Sequence, residues 1–66
     1  MKFVEFGPAA IDISKVTAFE KQVVTDSYYN KYLLTFYFDN GKELSVECEN
    51  ANQVNQFYIR AFNKVY

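Results

Sequence analysis

Over the last quarter of the chain the apolar residues return every three or four positions: Val54, Phe57, Tyr58, Ala61, Phe62 and Val65. That spacing gathers all six on one face of a helix, because residues three and four apart are neighbours on a helical surface. Asn50 stands where an N-cap is needed to accept from the orphan amides of the first turn, and Gln53 follows three positions later as in a capping box. Arg60 and Lys64 fall near the opposite end, where cations suit the helix dipole. The pattern predicts a helix over residues 51–65.

Upstream the period changes from about 3.6 to two. Residues 31–38 are rich in aromatic and β-branched side chains, residues 42–48 alternate apolar with polar, and Asp39-Asn40-Gly41 between them is a strong turn signal. The alternation also fixes the register. A two-residue loop at Asn40-Gly41 would set Phe36 against Ser45 and Tyr37 against Leu44, mixing polar and apolar side chains on both faces. A three-residue loop pairs Phe38 with Lys42, Phe36 with Leu44, Leu34 with Val46 and Tyr32 with Cys48. The other face then carries Tyr37–Glu43, Thr35–Ser45 and Leu33–Glu47. Because a one-residue slip turns every side chain to the wrong face, the longer loop is expected, with Gly41 left-handed.

The first third alternates less cleanly. Residues 2–6 read as a short strand ended by Gly7-Pro8, and Ile11 and Ile13 alternate around Asp12. Residues 16–24 read as a longer strand with Phe19 and Val23 on one side and Ala18 and Glu20 on the other. Ser14-Lys15 breaks the phase between these pieces, so a bulge or short turn is expected there. Residues 25–30 form a polar loop holding Tyr28 and Tyr29. Together these elements predict an α+β fold in a single domain, residues 1–66: an antiparallel meander of three to four strands with one C-terminal helix packed on its apolar face.

The run Ile11-Asp12-Ile13-Ser14-Lys15-Val16, the aromatic strand, the Asp-Asn-Gly turn and the capped terminal helix resemble short uncharacterised proteins of Gram-positive bacteria and their phages. Such proteins are similar in outline to a truncated pleckstrin-homology-like sheet with its closing helix. The resemblance implies a phage- or mobile-element-type accessory or regulatory protein.

Composition narrows the function classes. A chain of 66 residues buries only about 60% of its unfolded surface, too little for two lobes with a deep cleft between them. Seven basic residues balance eight acidic ones in an interleaved order, so no basic run exists to meet phosphate or an acidic membrane. No apolar run is long enough for a signal peptide or a membrane span, and the single cysteine, Cys48, fits a reducing compartment. A cytoplasmic setting is expected.

Candidate chemistry is sparse. The chain has no His, the usual base beside a nucleophile. Cys48 falls on the apolar face of the hairpin, where a thiol acts as a small filler. Glu43, Glu47 and Glu49 read as solvating an exposed sheet face rather than as paired acids across a cleft. Asp12, Asp26 and Asp39 are scattered over separate connections, and Asp39 is a turn residue without the rest of a calcium loop. No enzyme, cofactor or metal site is expected.

The aromatic load, seven Phe and six Tyr, is the feature above background. Phe36, Phe38, Phe57, Tyr58 and Phe62 are assigned to the core. Tyr28, Tyr29, Leu33, Tyr37, Ile59 and Tyr66 are left on the surface as the candidate interface, since tyrosine supplies contact area at low entropic cost. The expected function is a non-catalytic protein–protein interaction module, self-associating as a homodimer, with a protein partner and no membrane. The alternative is a single-stranded nucleic-acid binder stacking bases on Tyr28, Tyr29 and Tyr37. Glu43 and Glu47 beside Tyr37 oppose it, and would better suit a basic partner surface.

Overall fold

A computed structural model describes residues 2–26 and 28–66; Met1 and Ser27, the latter inside the polar loop expected at 25–30, lie outside the described residues. The chain opens with a hairpin, β1 (Phe3–Phe6) and β2 (Ala9–Asp12), joined by Gly7-Pro8. Gly7 has φ 60°, and among the described residues no non-glycine residue has positive φ. A left-handed first position before proline is the signature of a II′ turn, whose twist matches that of the strands it joins. Phe6 faces Ala9 and Val4 faces Ile11, which gives the hairpin one apolar face.

The phase break at Ser14-Lys15 is a 3-10 turn, Ile13–Lys15. Asp12 builds it: its Oδ1 accepts from Ser14 N at 3.2 Å, Ser14 Oγ at 2.6 Å and Lys2 N at 3.2 Å. These donors hold the Asp12 carboxyl below its ordinary value, with the Ser14 hydroxyl the largest cause. The turn delivers the chain into β3 (Val16–Thr25), β4 (Asn30–Phe38) and β5 (Glu43–Cys48), an antiparallel sheet in the order β3-β4-β5. A register shift between Val16 and Ala18 makes Thr17 the extra residue of a bulge. Only that insertion lets Val16 and Phe19, three apart, both face the core.

The β4–β5 register is the one the alternation demands, from Tyr37 opposite Glu43 to Tyr32 opposite Cys48. Asp39-Asn40-Gly41 closes it, with Gly41 at φ 85° and its N–H donating to Phe38 O at 3.1 Å.

Helix α1 (Ala51–Val65) packs on the apolar face of this sheet. Asn50 Oδ1 accepts from Gln53 N at 2.8 Å, and Gln53 Oε1 accepts from Glu49 N at 2.7 Å, one residue earlier than in a standard capping box. Val54, Phe57 and Ala61 are buried against Leu34, Phe36, Val46 and Cys48 of the sheet and Phe6, Ile11 and Ile13 of the N-terminal segment. Phe6 locks the two sheets together, its ring 5.0 Å from Phe36 and 5.7 Å from Phe57. Two core assignments need correction: Phe62 is 51% exposed and Leu44 is 43% exposed. Phe62 lies about 80° round the helix from Val54, beyond the reach of a three-stranded sheet, and Leu44 sits on the edge strand.

Candidate interaction surfaces

The six surface residues singled out by the sequence separate into three places. Tyr28 and Tyr29 lie in the β3–β4 connection, Tyr28 almost wholly exposed at 93%. Leu33 and Tyr37 are half-buried on the sheet face away from the helix. Ile59 is on the helix and Tyr66 caps its C-terminus, on the opposite side of the sheet. At about 3.3 Å per residue, Tyr37 is some 26 Å along β4 from Tyr29. The three tyrosines of a base-stacking platform are therefore not brought together.

The outer sheet face is internally bonded. Tyr37 Oη donates to Glu20 Oε1 at 2.5 Å, and Gln22 Nε2 donates to the same oxygen at 2.9 Å. Thr35 Oγ1 donates to Gln22 Oε1 at 3.3 Å, and lies 2.9 Å from Ser45 Oγ. With its proton given to Gln22, Thr35 accepts from Ser45, so the donors run from β5 across β4 to the Glu20 carboxylate on β3. Thr35, at the centre of this chain, is buried although it faces away from the core. The Tyr37 phenol is raised above its ordinary value, chiefly because it donates to Glu20, then by desolvation and the charges of Glu20 and Glu43. Glu20, Glu43 and Glu47 make this face acidic.

The helix flank has a different character. Ile59, Phe62 and Tyr66, at spacings of three and four, form a continuous exposed apolar stripe with exposures of 59%, 51% and 79%. The Phe62 and Tyr66 rings are 5.1 Å apart, and Tyr66 also reaches Phe19 of β3 at 6.4 Å. Tyr58 meets Phe19 edge-on at 5.3 Å, and Lys21 Nζ lies 4.7 Å from the centroid of the Tyr58 ring while donating to Asn55 Oδ1 at 3.1 Å. The stripe therefore lies on the β3 side of the molecule. Phe62 was hidden among the core residues by its helical period, and its proximity to Tyr66 was the available signal. The other flank is occupied by Arg60, whose Nη1 donates to Glu5 O at 2.9 Å over the Phe6 and Phe57 rings.

Cys48 is buried, and burial pushes its thiol up. Among the described residues there is no pocket, no cluster of His, Cys, Asp and Glu able to hold a metal ion, and no helix long and apolar enough to cross a membrane. Comparison with family models, curated proteins and solved structures returned no match.

Proposed function

We propose that this chain is a small non-catalytic protein–protein interaction module that self-associates, of the accessory or regulatory kind its sequence resemblance implies, working in the cytoplasm. The observation that carries this reading is the exposed stripe Ile59–Phe62–Tyr66, continuous with Phe19 and Tyr58 beneath it. Aromatic and aliphatic side chains clustered at this density on one flank are the composition of an interface centre, where large rigid groups gain most from losing water. The flank offers Tyr66 as a polar-tipped rim, whereas the outer sheet face has its hydroxyl and amide groups already engaged with one another.

A photo-crosslinking residue, p-benzoylphenylalanine, placed at position 62 in producing cells tests this reading. Discrete covalent adducts are expected there, and none from the same probe at the exposed turn position 40. An absence of adducts at position 62 overturns the interaction reading.

A further inference from the structure

The stripe borders a second unpartnered feature, the free edge of β3. Among the described residues no strand pairs with that edge. Phe38 N donates to Lys42 O, so the even residues of β4 bond to β5 and its odd residues bond to β3. Opposite those odd residues stand Ala18, Glu20, Gln22 and Val24. The amides and carbonyls of Phe19, Lys21 and Val23 consequently point away from β4, into the open edge. Past the Thr17 bulge this edge runs unbroken from Ala18 to Thr25, with Val23 and Val24 exposed on its two faces. The opposite edge, β5, is shorter and bears Glu43 and Glu47, which discourage strand addition.

We infer that β3 is the dimer seam: it pairs antiparallel with β3 of a second copy about a two-fold axis at Lys21, joining two three-stranded sheets into one of six. The inference rests on the self-association proposed above and names its surface. β3 is complementary to itself in this register. Phe19 opposes the partner's Val23 and Ala18 opposes the partner's Val24, both apolar matches on their respective faces; Glu20 opposes the partner's Gln22, a polar match. Shifting the axis to Glu20 sets the two Glu20 carboxylates against each other, and shifting it to Gln22 sets Glu20 against the partner's Val24. The one like-charge opposition is Lys21 with itself, and each Nζ is drawn toward its own helix by Asn55 and the Tyr58 ring.

The two-fold axis stands perpendicular to the sheet, so both helices stay on the same face. Because Tyr58 and Tyr66 reach Phe19, and Phe19 opposes the partner's Val23, each stripe is brought beside the Val23 end of the partner's β3 above the seam. In this register Ala18–Val24 overlap, about 23 Å of strand, on a side of the molecule about 20 Å deep. The projected contact is roughly 460 Å² per partner, which places the dimer in the small, concentration-dependent class below the ~800 Å² per partner of a standard interface.

Sedimentation and residue-resolved amide exchange by NMR, each at about 20 µM and about 1 mM, test the seam, since dimerisation follows mass action. The expected mass at the higher concentration is twice the 7.8 kDa of the chain. The Phe19, Lys21 and Val23 amides should exchange at least ~10-fold more slowly there. Glu20, Gln22 and Val24 are bonded to β4 and serve as the internal reference, protected at both concentrations. Val23→Pro removes an outward amide without removing a β3–β4 bond, and should raise the dimer dissociation constant at least ~10-fold. If that variant unfolds, the wild-type exchange pattern still decides. A dimer whose Phe19, Lys21 and Val23 amides exchange freely overturns the seam and leaves the interaction reading standing. A monomer at the higher concentration overturns both the seam and self-association, while adducts at position 62 would still support a different protein partner.

Discussion

Gly41 is the residue on which the β4–β5 register turns. At φ 85° it occupies the left-handed region, and a Cβ built there meets nothing within 4 Å, so any cost of substitution is conformational. Gly41→Ala should lose about 1–2 kcal/mol in urea unfolding, and Gly41→Asn less than half as much, because asparagine tolerates that region. Equal losses in the two variants would contradict a purely backbone origin. Tyr37 gives a pH signature. Its folded pKa lies above the ordinary 10.0, first because the phenol donates to Glu20. A raised value means its contribution is fully present below the unfolded pKa and is lost as pH rises through the folded one. The urea-midpoint advantage of wild type over Tyr37→Phe should therefore be constant from about pH 7 to 9 and shrink above about pH 10. An advantage that persists unchanged at high pH would remove the Tyr37–Glu20 bond from the account.

At the scale of elements, local signals and long-range ones parted company. Helix α1 runs from Ala51 to Val65, the span its periodicity and cap define. Asn50→Ala should cost about 1 kcal/mol, while Asn50→Asp should be neutral or slightly stabilising, since a carboxylate suits the N-terminal dipole. Thermal melts of the two variants check this, and an Asn50→Ala protein as stable as wild type would mean the Gln53 amide finds another acceptor. The β4–β5 register was equally legible, because Leu34, Phe36, Val46 and Cys48 become buried together under one alignment only. The N-terminal strands were less so. Their alternation is interrupted by Asp12 capping a 3-10 turn and by the Thr17 bulge, both set by contacts with residues distant in sequence or by side-chain capping.

For the whole molecule, Phe6 is the decisive residue. It is fully buried and touches both the sheet and the helix, and together with Ile11, 2% exposed, it docks the two-stranded hairpin on the core. Typical stabilities of 0.05–0.15 kcal/mol per residue give a chain of 66 residues about 3–10 kcal/mol in total. Phe6→Ala should remove about 3–5 kcal/mol of that, read by circular dichroism as a fall of roughly a third or more in the urea midpoint. A loss below about 1 kcal/mol would show that the hairpin is not needed to close the core. The same small size explains why so much aromatic surface stays outside: three strands and one helix cannot cover every apolar side chain the sequence provides, and Ile59, Phe62, Tyr66, Val23 and Val24 remain exposed.

Periodicity along the chain settled which segments are helix and strand, where α1 is capped, and how β4 meets β5, because each depends on residues close in sequence or on an alternation that tolerates one alignment. Only the tertiary structure decided that Phe62 faces outward while Phe6 is sealed, that Glu20 gathers the outer-face hydrogen bonds, and that the stripe on α1 lies beside the open edge of β3. Those outcomes depend on where a helix rests across a sheet. The width of the sheet and the docking of a separate hairpin determine that position, and neither is encoded in the period of any single segment.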